Sequence, residues 1–256
     1  VTSYAHETAL GETYTKGYVA RISLKDYEVK ATCEVGYEPE GIHIYGGKLY
    51  IANTGGYAFS EGHDYENTIS VVDAKTMTKT KDIALVTSDG QRIINLYGTM
   101  SHCGRFLCIN SPGDYMETPA RTVIFNMENE TYRVYDFPST YNTYIHDYKF
   151  FTIGSAFSYL TYEYDYYINT IDPLTGAVTE GYLLPDGTVA AEVTAAIRSM
   201  QNPYCVYQNP YTHHLYITDA GSYASAGKVY EFDENGRQVG QPLNCYINPG
   251  HMVAIE

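Results

Sequence analysis

The sequence predicts an all-β fold, a β-propeller of four-stranded antiparallel blades, and two observations carry that expectation. The first is a repeat. The stretch Tyr216–Gln238 is an apolar strand that halts at Thr218-Asp219-Ala220, passes through a Tyr-bearing loop and resumes as a second strand ending at Asp233; related stretches begin at Val1, Tyr50, Leu107 and Phe151. The first strands halt at Ser3, Asn53, Asn110, Gly154 and Asp219, and the second strands end at Ser23, Asp73, Asn126, Asp172 and Asp233. The second observation is turn chemistry. Asp73-Ala-Lys-Thr76, Asp172-Pro-Leu-Thr-Gly176 and Asp233-Glu-Asn-Gly236 open on an Asp that can bond its own backbone, and two of them close on a Gly that accepts positive φ.

Each unit completes itself in the same way. A third strand follows the turn, at Tyr27–Val29, Met77–Lys79, Tyr132–Val134, Ala177–Thr179 and Gln238–Gly240. A short apolar strand precedes the first in four units, at Gly41–Tyr45, Ile93–Tyr97, Tyr144–His146 and Tyr204–Tyr207. Four strands recurring every ~45–65 residues are the signature of propeller blades, each of which buries its faces against its neighbours. The whole of 1–256 is thus expected to be one propeller domain with five readable blades. Asn248–Glu256 reads as one more innermost strand. It either completes the first blade and closes a ring of five, or the chain is the C-terminal part of a larger ring; the abrupt start at Val1 favours the second, with N-terminal blades lacking. Val189–Met200 places apolar residues at helical spacing after Pro185-Asp-Gly187, which predicts a short packing helix inserted at about 189–200.

Composition narrows the function classes. With 16 Lys+Arg against 30 Asp+Glu the net charge is -14, a field that repels nucleic-acid phosphates and anionic lipid. No nucleic-acid partner is expected. Cys33, Cys103, Cys108, Cys205 and Cys245 contain no C-x-x-C pair, and the odd total favours free thiols, although Cys103 and Cys108 stand close enough in sequence to bridge. Tyrosine is in excess, 29 against 8 Phe and no Trp. Its ring suits strands, and its apolar face with a polar tip also suits wet binding surfaces.

The loops between the second and third strands of all blades emerge on one face of a propeller, so residues recurring there form a ring. That ring would contain Tyr4, Tyr57, Tyr115, Tyr159 and Tyr223, with His63, Tyr65 and Tyr164 added by the longer loops. Tyr rings with polar neighbours fit a flat ligand with a polar edge. Asn53, Asn110 and Asp219 are expected instead to cap strand ends through their side chains. No catalytic residue, metal ligand or cofactor is assigned. G-x-S-x-G, H-E-x-x-H and glycine-rich phosphate loops are absent, and His213-His214 are adjacent residues of a surface hairpin that point to opposite sides.

Several phrases resemble a known family. Pro39-Glu-Gly-Ile42, Gly47-Lys-Leu-Tyr-Ile-Ala-Asn53 and Asn67-Thr-Ile-Ser-Val-Val-Asp73 look like the YncE-like (YVTN) propellers. Asn202-Pro-Tyr204, Leu215–Ala220, Gly227-Lys-Val-Tyr230 and Ile247-Asn-Pro-Gly-His251 are similar to the surface lipoprotein branch of Bacteroidetes, and the likeness covers nearly the whole chain. The resemblance implies a seven-bladed ring, export, and attachment to the outer membrane through an N-terminal lipid. It also implies capture of a small molecule, cobalamin or a related corrinoid, for delivery to an outer-membrane transporter. Two alternatives stand beside this: a propeller lactonase or lyase with a central metal, and a protein-interaction surface protein.

Overall fold

A computed structural model describes residues 1–3, 15–56, 64–97, 100–158 and 160–255. The described chain is almost all β, in five antiparallel sheets whose strands lie side by side in sequence order. The first sheet has three strands, β1 (Thr2–Ser3), β2 (Tyr18–Ile22) and β3 (Val29–Glu34). The second has β4 (Pro39–Tyr45), β5 (Lys48–Asn53), β6 (Thr68–Asp73) and β7 (Thr78–Ala84), and the third β8 (Ser101–Cys103), β9 (Phe106–Ser111), β10 (Arg121–Asn126) and β11 (Thr131–Tyr135). The fourth has β12 (Tyr141–Ile145), β13 (Lys149–Ser158), β14 (Glu163–Ile171) and β15 (Val178–Glu180). The fifth has β16 (Pro203–Gln208), β17 (Leu215–Asp219), β18 (Lys228–Phe232) and β19 (Leu243–Asn244). One helix, α1 (Ala191–Ser199), lies between the fourth and fifth sheets in sequence. The blade repeat read from the sequence is therefore present.

The turns after the third strand of the second, fourth and fifth blades form for the reason their residues suggest. Asp73 Oδ1 accepts from the Lys75 and Thr76 amides at 3.0 and 2.7 Å, and Asp172 Oδ1 from Leu174 and Thr175 at 2.8 and 3.1 Å. Asp233 Oδ1 accepts from Asn235 and Arg237, both at 2.9 Å. A short acceptor fixes each reversal locally, so the strands on either side are forced into antiparallel register.

Four strand assignments need correction. Ile93–Tyr97 is not a strand; the first strand of the third blade is Ser101–Cys103. Asn95 adopts φ 57, which interrupts an extended run, and the segment's amides go elsewhere: Ile93 to Leu85 O, Asn95 to Glu66 O and Tyr97 to Asn110 O. Gln238–Gly240 makes only an isolated bridge, Phe232↔Gln238, and the outermost strand comes later at Leu243–Asn244. Residues 248–255 form no strand, since Asn248 takes φ 53 and Pro249 has no amide to give. Gly154 does not end its strand, because β13 runs on to Ser158.

The chain divides into two compact units, Val1–Met100 with Ile109–Asp136, and Ser101–Cys108 with Phe137–Glu256. In the first, Val19, Val35, Ile51, Val72 and Met77 form a buried cluster. Tyr50 is buried against Phe125, ring centroids 5.7 Å apart, and donates to Met127 O at 2.7 Å. Burial, with the Glu130 carboxylate adding to it, pushes the Tyr50 phenol up to about 12. Glu130 also receives Lys48 Nζ at 3.1 Å and Lys81 Nζ.

In the second unit, Val193 and Ile197 of α1 join Phe151, Ile153, Ile168, Tyr182, Leu215, Ile217 and Phe232 in one core. Cys103 and Cys108 lie on paired strands as free thiols, and burial raises both. His146 stacks edge-on against Tyr182 at 5.8 Å, and its Nε2 is buried without a partner. Burial holds this imidazole below its ordinary value, with Lys149 and His213 acting the same way while Asp147 and the Leu183 backbone oppose. The unfolded chain therefore binds the proton more readily, so stability rises with pH up to the ordinary histidine value of about 6.5 and falls below it. Thermal melts from about pH 7.5 to 5.5 should show this decline, and His146→Phe should flatten it; an unchanged slope would show that His146 does not contribute.

Candidate functional site

Four of the eight residues assigned to ligand contact, Tyr4, Tyr57, His63 and Tyr159, lie outside the described residues. Of the other four, Tyr65 and Tyr115 lie in the first unit and Tyr164 and Tyr223 in the second.

In the first unit the loop from β9 to β10 is built by one carboxylate. Asp114 Oδ1 accepts from the Met116 and Thr118 amides at 2.9 and 2.8 Å, and Oδ2 accepts from Thr118 Oγ1 at 3.0 Å. Partial burial raises the Asp114 carboxyl, but these donors outweigh it and leave it below the usual range. Gly113 enters the loop at φ 69, and a Cβ there would stand 2.0 Å from Thr118 O, so only glycine fits. Tyr115 is left at the tip, 71% exposed and itself at φ 61. Its phenol is raised, by desolvation first and then by the phenols of Tyr97 and Tyr65. Half-buried Tyr65 is fixed by its carbonyl, which accepts from Arg92 Nη2, while Arg92 Nη1 pairs with Asp64 at 2.6 Å.

The second unit holds the larger cluster. Asp219, the last residue of β17, is 8% exposed, and its carboxylate accepts three amides: Gln201 at 3.1 Å, Asn202 at 2.9 Å and Gly221 at 2.9 Å. Asn202 Nδ2 donates to Gly221 O at 2.6 Å from the other side. The loop that starts at Gly221 thereby has a fixed base, and it presents Tyr223 at φ 62, 49% exposed. A tyrosine in the left-handed region costs about 1–2 kcal/mol, which the surrounding turn must offset. Tyr115 and Tyr223 share it at equivalent places in two blades.

Tyr223 stands in a row of rings. It meets Tyr204 at 5.8 Å and 73°, and Tyr204 meets Tyr141 at 5.7 Å and 56°. Nearby, Phe157 and Tyr164 pair across β13 and β14 at 5.3 Å, with Tyr164 62% exposed. Tyr166 donates to Gln201 O at 3.2 Å. The phenol of Tyr223 is raised, by desolvation and then by Tyr204, Tyr164 and Asp219; that of Tyr166 is raised by desolvation and then by Asp219, Tyr223 and Tyr164. Tyr204 and Tyr223 touch through their rings, and Asp219 raises the phenols of both Tyr223 and Tyr166. The cluster can stack flat apolar surface and hydrogen-bond its rim.

Sequence reasoning found Tyr164 and Tyr223 but missed Tyr141, Tyr204, Tyr166 and Phe157. A signal existed: Tyr141 and Tyr204 sit at or next to the start of the first strand of consecutive blades. Asn53 occupies in its blade the place of Asp219, accepting the Gly36 amide at 3.1 Å and donating to Thr68 Oγ1 and Ser70 Oγ at 2.9 and 3.0 Å. Asn110 is buried, and its carbonyl accepts the Tyr97 amide at 3.1 Å. Among the described residues no three His, Cys, Asp or Glu side chains gather where they could hold a metal ion, and no helix is long and apolar enough to cross a membrane.

Repeated antiparallel blades with loop clusters at their ends define a β-propeller protein. Solved structures bear this out: the chain is similar to the hydrazine synthase of Kuenenia stuttgartiensis, with TM-score 0.55 and 13% identity over 88% of this chain. It is also similar to the dihydro-heme d1 dehydrogenase NirN, with TM-score 0.52 and 11% identity over 88% of this chain. The chain spans 60% of the former and 42% of the latter. At such identities the likeness shows the fold alone. No family model and no curated protein matches the chain.

Proposed function

We propose that this protein is a binding protein of the YncE-like propeller class, which captures a small molecule on its tyrosine-bearing loops and does no chemistry on it. The observation that carries this is the row Tyr141–Tyr204–Tyr223, whose last ring stands on a loop held by a buried carboxylate. Rings held in place by packing and by a fixed loop lose little freedom on binding, so stacking contributes more fully to affinity. The first ligand to test is cobalamin or another corrinoid, whose flat macrocycle and amide rim match such a surface. That choice, together with export, display at the outer membrane and hand-over to a transporter, comes from the family resemblance.

Calorimetric titration with cyanocobalamin and cobinamide is the direct test. Tyr223→Ala and Tyr164→Ala should each weaken binding about tenfold, roughly 1.4 kcal/mol, while Tm moves by only a few degrees. Absence of heat with every corrinoid would remove that ligand class. Binding that survives both substitutions unchanged would place the site elsewhere.

A further inference from the structure

The β13–β14 hairpin outruns its own sheet. β12 accompanies β13 only as far as Ile153, and β15 joins β14 only from Asn169, yet the hairpin pairing continues to Ser158↔Glu163. Along Tyr164–Tyr167 the outer edge of β14 has no neighbouring strand among the described residues, and its amides and carbonyls on that side face outward. A two-stranded ribbon standing alone is marginal in water, and an open edge is a template for another strand. This ribbon is nevertheless braced: Phe157 packs on Tyr164 at 5.3 Å and on Tyr162 at 6.3 Å, and Tyr166 is tied to Gln201 O. A braced open edge adds a strand with little ordering cost on its own side.

Charge selects the occupant. Between Lys149 and Asp172 the only charged residues are Glu163 and Asp165, with no cation among them. Pairing the edge with a second copy would set these carboxylates near one another between two chains of net charge -14, and like charges across a strand pair are unfavourable. An extended segment bearing Lys or Arg at alternate positions answers the carboxylates instead. We propose that Tyr164–Tyr167 is a strand-addition site for an extended, basic segment of a partner protein. It uses the backbone edge of β14, whereas small-molecule capture uses the Tyr164 ring of the same strand, so failure of the peptide to bind leaves that reading standing.

The probe is a short fluorescein-labelled peptide of alternating threonine and lysine, titrated against the full chain by anisotropy. Binding is expected, with new protection from hydrogen exchange confined to the outward-facing amides of Tyr164 and Tyr166. N-methylating the amides on the pairing side of the peptide should weaken it about tenfold, and Glu163→Gln with Asp165→Asn should weaken it several-fold while leaving Tm in place. A peptide of alternating threonine and glutamate should not bind. Equal affinity for the N-methylated peptide would reduce the effect to charge alone and overturn strand addition. Failure of the lysine peptide to bind, protection elsewhere, or self-association through this edge in sedimentation would each overturn it as well.

Discussion

Gly154→Val should lower stability by roughly 3–4 kcal/mol, with Gly154→Ala costing about 2 kcal/mol. The cause is space rather than dihedral freedom. A Cβ at Gly154 would lie 2.2 Å from Pro138 O, 2.5 Å from Pro138 C and 2.9 Å from Ser139 Cα. All three are backbone atoms, so no side chain can swing away, and either the approach to β12 or strand β13 itself must shift. Ile153 next door is buried in the core of its unit, and a shift there would open cavities around it. Denaturant titration of the Ala and Val variants gives the graded loss; an Ala variant within about 0.5 kcal/mol of the parent would show that the two backbones are not in close contact.

Gly154 also shows where sequence reasoning stops. In the linear repeat it occupies the place of Asn53 and Asp219, and alignment reads it as a halt. What it serves is the passage of residues 138 and 139 over the strand, a long-range fact that no local pattern encodes. The Asp-opened turns are the opposite case: Asp73, Asp172 and Asp233 bond amides two to four residues away, so their structure is written where they stand. Blade number and most strand positions followed from such local signals. Ile93–Tyr97 misled because its apolar alternation serves burial, with Ile93, Ile94 and Leu96 all in the interior, while its hydrogen bonds close the ends of neighbouring strands.

The tyrosines divide along the same line. Tyr223 and Tyr115 were legible as loop residues following a polar halt, a relation within one blade. Tyr204 was not, because its value comes from touching Tyr141 of the preceding blade and Tyr223 of its own loop. Tyr164 read as a residue of a longer loop, whereas Glu163–Tyr167 pair with Gly154–Ser158 as a ribbon. Alternating Tyr and acid in Tyr162–Tyr166 is in retrospect a strand period of two.

Asp219→Ala should lower stability by about 3 kcal/mol, since it leaves the Gln201, Asn202 and Gly221 amides without an acceptor in a nearly buried place. For a chain of this size that corresponds to a Tm loss of roughly 6–12 °C. Asp219→Asn should cost less, about 1–2 kcal/mol. One amide oxygen can still serve Asn202 and Gly221, both of which bond Oδ1, while the Gln201 amide would face an NH2 group. Because the Gly221 end of the Tyr223 loop rests on this carboxylate, ligand affinity should fall in step with stability in the Ala variant and largely persist in the Asn variant. Tyr223→Ala should show the reverse, weak binding on an intact fold. Measuring Tm and ligand affinity for all three variants separates the roles: if Asp219→Ala abolishes binding while Tm holds, Asp219 touches the ligand itself and the loop-supporting role assigned to it is wrong.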